Sequence, residues 1–232
     1  MIRQFYRKQR KLLTGALNTH IKINGQNYND LEWWDDSFYT KGVSDRLTIF
    51  RGKNLVTSKY HYASIEMQIL KHLRNNRISV SQARVIDIGS GAGHWIDFYK
   101  SLEPLEIVGM DISLLSFNHL KDKYAKDASI SIHHGKAIEV LTKLNGNFNF
   151  VNAIGVMFHI VDDLEWEDTI YAVGNKMNKG GLFIVGGHFG FIDGLNILID
   201  KDGNIIKRLR SKKRWTNVLK KSGVHKNQPL SE

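Results

Sequence analysis

The chain predicts an α/β domain in which a mostly parallel sheet is flanked by helices. Three observations carry this. From Arg84 onward, short β-branched apolar segments alternate regularly with amphipathic stretches, the pattern of strands joined by right-handed helical crossovers. Residues 85–93 read Val-Ile-Asp-Ile-Gly-Ser-Gly-Ala-Gly, an apolar strand that runs straight into a glycine-rich turn. A length of 232 residues with 42% hydrophobic content suits one such domain and a small appendage, and leaves no room for two of full size.

In chain order, Met1 to about Leu31 reads as a basic helical start followed by an Asn- and Gly-rich loop. Residues 32–62 are dense in aromatics, and residues 57–75 show helical spacing at Tyr62, Ile65, Ile69, Leu70 and Leu73. We expect 1–56 to form an N-terminal cap and lid, and 57–232 the main domain. Strands are predicted at 84–88, 106–111, 130–134, 149–156 and 181–187. Helices are predicted between them at about 93–102, 113–126, 136–144 and 163–178, the last stopped by Lys179-Gly180-Gly181. Alternation around Asp202-Gly203 predicts a hairpin over 196–209, and Ser211 caps a final helix that carries Trp215, Val218 and Leu219 and ends at Gly223.

The glycine spacing decides which ligand the turn suits. A dinucleotide loop reads G-x-G-x-x-G and receives a pyrophosphate at the helix N-terminus. Here the pattern is Gly89, Ser90, Gly91, Ala92, Gly93, with His94 at the position of the dinucleotide's third glycine. Asp87, just upstream, would repel a pyrophosphate but suits an ammonium or sulfonium, both of which S-adenosyl-L-methionine carries. Asp111 ends the next strand 24 positions later, about where one βαβ unit delivers an acid to ribose hydroxyls. The plainer reading is a strand-to-helix turn with Asp111 as a cap beside Ser113.

Strand, acid, glycine loop, helix, strand and acid in this order resemble the class I S-adenosylmethionine-dependent methyltransferases. Val85 to Gly93 is similar to the family's first motif, and Val108 to Ile112 is similar to the motif that follows it. The resemblance covers about residues 57–223. It implies a Rossmann-like sheet, S-adenosyl-L-methionine as cofactor with S-adenosyl-L-homocysteine as product, and cofactor contacts at Asp87, Gly89, Ser90, Gly91, Gly93, Asp111 and Ile112. The family's adenine loop usually reads Gly-Asp-Ala. Gly135-Lys136-Ala137 stands here, so adenine contact is expected from the backbone of Lys136 and Ala137. The family fold usually closes with an antiparallel hairpin after the last helix. Only Val224 to Glu232 remains for it, which predicts a shortened C-terminal end, with the seventh strand missing, very short, or supplied by 196–209.

The fourth strand empties into Met157-Phe158-His159-Ile160-Val161-Asp162-Asp163, similar to the fourth motif of family members that act on small molecules. His159, with an ordinary pKa near 6.5, is the candidate general base, and His188 after the fifth strand is the other candidate. Packing beside the cofactor is the alternative for His159. An Asn-Pro-Pro-Tyr-type signature is absent. His133, His134, His159, Asp162, Asp163 and His188 are metal-ligand types, but the Asp-Asn pair of catechol-type relatives has no counterpart after the fifth strand, and no metal is expected. Tyr39 and Tyr62, from the aromatic N-terminal part, are the lid candidates for cofactor contact.

The formal charge of +10 resides in two acid-free stretches, 1–11 with five basic residues and 207–221 with eight. The rest of the chain is slightly acidic. Such runs read first as solvated faces, with RNA contact or an acidic partner as alternatives. Without cysteine there is neither a disulfide nor a thiolate zinc site, and no run of 18 apolar residues exists. The expected function is methyl transfer to an oxygen or nitrogen of a small-molecule metabolite by a soluble cytoplasmic enzyme, without membrane contact. An RNA or protein methyltransferase using the basic stretches, or a non-catalytic nucleoside-binding module, are the alternatives.

Overall fold

A computed structural model describes residues 34–35, 42–49, 54–187, 189–191, 193–199 and 205–224. Their elements run α1 (Asp45–Ile49), α2 (Leu55–Asn75), β1 (Arg84–Ile88), α3 (His94–Lys100), β2 (Glu106–Asp111), α4 (Leu114–Lys123), β3 (Ile130–His134), α5 (Ala137–Lys143), β4 (Phe148–Ile154), α6 (Asp163–Lys176), β5 (Met177–Gly186), β6 (Leu195–Ile199), β7 (Ile205–Leu209) and α7 (Lys212–Lys221). Strands β1 to β5 form one parallel sheet in the order β3-β2-β1-β4-β5. The strand order reverses beside β1, so the carboxyl ends of β1, β2 and β4 open on the crevice where open α/β sheets bind ligands.

Strand parity builds the two layers around the sheet. Val85, Ile107, Phe150 and Ile154 face α2, α3 and α4, where Ile69, Trp95, Ile96, Tyr99 and Leu120 are buried with them. Ile86, Ile88, Val108, Val151 and Ala153 face α5, α6 and α7, packed with Leu141, Trp166, Ile170, Val173 and Trp215. Burying each of these large apolar side chains is worth about 1.5–3 kcal/mol, so the near-continuous apolar strands are what hold the sheet between its helices.

Boundaries shift modestly from the sequence reading, each for a local reason. Helix α2 starts at Leu55, capped by Asn54, whose side chain accepts from the Thr57 amide at 2.8 Å. Its inward stripe is Tyr62, Ile65, Ile69 and Leu73. Leu70 points outward, because it lies one residue off that stripe. Helix α6 ends at Lys176, before the expected stop. Phe148 pairs with Met177 and Phe150 with Leu182, so Asn178 to Gly181 loop out as a bulge at the start of β5, with Gly180 at φ +80°. Ser211 caps α7 as expected, accepting from the Arg214 amide at 3.1 Å. The hairpin β6–β7 is a separate two-stranded antiparallel sheet that precedes α7, and among the described residues it adds no strand to the main sheet. Its turn at Asp202-Gly203 lies outside the described residues. No helix among the described residues is long and apolar enough to cross a membrane.

Candidate functional site

The carboxyl end of β1 is built around a buried acid. Asp87 pairs in register with Asn152 on β4, and both share the strand parity that faces α3. The Asn152 amide Nδ2 donates to Asp87 Oδ1 at 2.7 Å, and the Tyr99 hydroxyl donates to Asn152 Oδ1 at 3.3 Å. The other carboxylate oxygen, Asp87 Oδ2, is buried with no hydrogen-bond partner among the described residues. Burial pushes the Asp87 carboxyl up to about 7 despite the Asn152 bond.

Beyond Asp87 the chain turns on positive-φ glycines. The Gly89 and Ser90 amides both donate to the Met110 carbonyl, which ties the loop to the end of β2. Gly91 has φ +56°, and a Cβ there would stand 2.7 Å from Thr48 Cγ2; at Gly89, φ +69°, it would meet Val156 at 2.4 Å. Neither position tolerates a side chain. Gly93 precedes α3, and its carbonyl accepts from the Tyr124 hydroxyl at 3.0 Å. The Ser90 hydroxyl donates to the Asp87 carbonyl at 3.0 Å.

Asp111 closes the loop from the neighbouring strand. Its Oδ2 accepts from the Gly91 amide at 2.7 Å and its Oδ1 from the Ser113 amide at 2.9 Å. Burial raises its carboxyl to about 6 against those two bonds. Ser113, and not Asp111, is the cap of α4, accepting from the Ser116 amide at 3.1 Å. Each Asp111 oxygen keeps a further lone pair for a hydroxyl donor. Ile112 is half-buried, and its carbonyl accepts from His134 Nε2 at 3.0 Å. Ala137 opens α5, while the Lys136 ammonium reaches Glu165 at 2.9 Å on α6.

Described residues of α1 and α2 lie over this loop. Thr48 covers Gly91, and its hydroxyl meets that of Tyr62 at 3.0 Å. Tyr62 also stacks on His94 with ring centroids 3.6 Å apart, so it reaches the glycine loop through Thr48 and His94. His94 Nε2 lies 2.6 Å from Glu66 and Nδ1 3.5 Å from Asp45. Asp35 accepts from the Ser113 hydroxyl at 2.5 Å and the Leu115 amide at 3.3 Å, which brings a further acid beside Asp111. Tyr39 lies outside the described residues.

His159 sits in the loop after β4, at the same sheet edge. Its amide donates to the Val156 carbonyl at 2.7 Å, a tight turn, and its ring meets Trp34 edge-on at 4.9 Å and Phe158 at 4.5 Å. A narrow adjoining cleft is lined by Phe158, Trp166, Phe189, Trp215, Arg208 and Arg210. His188 lies outside the described residues. Among the described residues no three His, Asp or Glu side chains gather as a metal site.

Asn152, Asp35, Thr48 and Arg210 are absent from the sequence expectations. Asn152 carried a signal, as a polar residue inside the otherwise apolar run Phe150-Val151-Asn152-Ala153-Ile154. Part of the basic run 207–221 proves to be turned inward. Arg208, Arg210 and Arg214 all bond Asp163, and Arg214 also reaches Glu167 and Asp193. Burial would raise the Asp163 carboxyl, but the bonds and charge of Arg208 and Arg210 outweigh it and hold the group well below the usual carboxylate range.

Residues 85–181 match the family model for a methyltransferase domain. The fold is similar to phosphoethanolamine N-methyltransferase 1 from Haemonchus contortus, at 16% identity over 82% of this chain and 39% of that one, with a TM-score of 0.63. It is also similar to magnesium protoporphyrin IX methyltransferase from Synechocystis PCC 6803, at 15% identity over 86% and 88% of the two chains and a TM-score of 0.59. An S-adenosylmethionine-dependent methyltransferase from Clostridium acetobutylicum ATCC 824 aligns at 14% identity over 72% and 82%, with a TM-score of 0.55. No curated protein matches by sequence. The buried, unpartnered Asp87 oxygen and the side-chain-free turn fit a cationic nucleoside cofactor. The family match spans β1 to the start of β5, so residues 85–181 carry a methyltransferase domain, in a fold shared with a solved S-adenosylmethionine-dependent methyltransferase.

Proposed function

We propose that the protein methylates an oxygen or nitrogen of a small-molecule metabolite, with the 1–56 segment as cap and lid and 57–232 as the catalytic domain. The carrying observation is the placement of His159 beyond the carboxyl end of β4, with its ring against those of Trp34 and Phe158. In this reading Asp87 takes the cofactor's ammonium, Gly89, Ser90, Gly91 and Gly93 its methionine part along their backbone, and Asp111 with Ile112 its ribose. Main-chain groups of Lys136 and Ala137 meet the adenine, and Tyr39 of the lid and Tyr62 of α2 are the further cofactor contacts. The bound cofactor supplies an activated methyl group on a sulfonium that is its own leaving group. Alignment is then the protein's main task. His159 takes the proton of an acceptor hydroxyl as its oxygen becomes nucleophilic, with His188 as the other candidate for that role.

RNA is the weaker substrate class: Arg208, Arg210 and Arg214 of the basic run are committed to carboxylates, which leaves Lys212, Lys213, Lys220 and Lys221 as its exposed cations. The test is transfer of labelled methyl from S-adenosylmethionine to a metabolite extract and, in parallel, to total RNA. Label in the small-molecule fraction, lowered about a hundredfold by His159→Ala with cofactor affinity unchanged, is the expected result. Label in RNA only, lost steeply with added salt, overturns it.

A further inference from the structure

We propose that Arg210 is the positioning residue of the His159 loop; this rests on the reading of His159 as the base. Arg210 is 1% exposed, although it lies in the most basic stretch of the chain. Its guanidinium does not face solvent. It is wrapped by the loop after β4, donating to the carbonyls of Ile160 at 2.6 Å, Asp162 at 3.1 Å and Val161 at 3.3 Å. The Met157 carbonyl lies at the limit, 3.5 Å. The backbone amide of Arg208 donates to the Phe158 carbonyl at 2.8 Å. Carbonyls on both sides of His159 are thus held by β7 and the residue after it.

The guanidinium is itself fixed on its other sides. It bonds Asp163, the first residue of α6, through Nε at 3.1 Å and Nη2 at 2.9 Å, and lies over the Trp166 ring at 4.7 Å. A loop with several inward-pointing carbonyls needs donors, and a planar fork with five N–H groups supplies them in one rigid piece. This ties the separate hairpin to the site. The β6–β7 sheet serves as the backing that sets where the His159 ring stands against Trp34.

Arg210→Lys separates positioning from mere stability. Lysine keeps the charge beside Asp163 but cannot serve carbonyls on both sides of the loop, and Asp163 stays paired with Arg208 and Arg214. The readout is the ring resonances of His159, assigned by their absence in His159→Gln, in protein saturated with S-adenosylhomocysteine. Arg210→Lys is expected to abolish the ring-current shift that Trp34 imposes on His159, with the other histidine signals and the S-adenosylhomocysteine affinity unchanged. Unchanged His159 resonances overturn the proposal. Should Arg210→Lys not fold, Asp163→Asn, which leaves Arg210 in place but loosens its anchor, is expected to shift the same resonances partway; no shift there overturns it equally. Failure of the base reading is seen separately, as an unaltered methyl-transfer rate in His159→Ala.

Discussion

Replacing Asp87 by asparagine should stabilise the ligand-free protein at alkaline pH while weakening cofactor binding. In the folded chain the carboxyl is raised to about 7 from an ordinary 3.8, because it is buried and only one oxygen is bonded. A group whose folded pKa is raised contributes stability that is present below pH 3.8 and lost as pH climbs through 7. The difference corresponds to about 4 kcal/mol lost across that window. Asparagine can keep the bond from Asn152 and carries no charge, but it buries an unpaired N–H group that takes back about 1 kcal/mol. Urea denaturation of ligand-free protein should therefore find Asp87→Asn within about 1 kcal/mol of wild type at pH 4 and about 3 kcal/mol more stable at pH 8. Calorimetry with S-adenosylhomocysteine at pH 8 should find binding weaker by about 1.5–3 kcal/mol, the worth of a bond to a charged group. A stability difference that stays constant from pH 4 to 8 refutes the buried, ionising Asp87 on which the site reading depends.

Asp111→Ala removes the acceptor for the Gly91 and Ser113 amides as well as for a ribose hydroxyl, so S-adenosylhomocysteine affinity should fall by about 1.5–3 kcal/mol in calorimetry; no loss moves the ribose elsewhere. Gly91→Val places a branched side chain against Thr48 at a positive φ, so it should abolish cofactor binding with the circular dichroism spectrum retained; normal affinity in a folded variant refutes the loop assignment. Trp166→Ala empties a fully buried site between Trp215 and the Arg210 guanidinium and should cost about 3–5 kcal/mol in denaturant unfolding, an outcome that a surface-like loss below about 1 kcal/mol contradicts.

The sheet was legible in the sequence because its signals are local. Strand β1 carries Val85, Ile86 and Ile88 around Asp87, and Gly89, Gly91 and Gly93 mark the turn that follows. The glycine loop and Asp111 come together as expected because one βαβ unit brings adjacent parallel strand ends side by side. What stayed hidden depends on partners distant in the chain. Asn152 meets Asp87 only through the register of β1 with β4, 65 residues apart. The bulge at Asn178 to Gly181 reads locally as a helix stop, since glycines serve both purposes and only pairing with Phe148 and Phe150 decides. In the basic run 207–221 Lys212, Lys213, Lys220 and Lys221 are exposed as read, but composition does not reveal that Asp163 and the carbonyls of residues 157–162 draw Arg208, Arg210 and Arg214 inward.

The most direct test of the central claim is a crystal structure of the protein with S-adenosylhomocysteine. The predicted result is the nucleoside against Gly89 to Gly93, its ribose hydroxyls within hydrogen-bond reach of Asp111, its amino group toward Asp87, and its sulfur facing the His159 loop. A nucleoside bound elsewhere on the chain, or Asp111 still engaged only by the amides of Gly91 and Ser113, would contradict it.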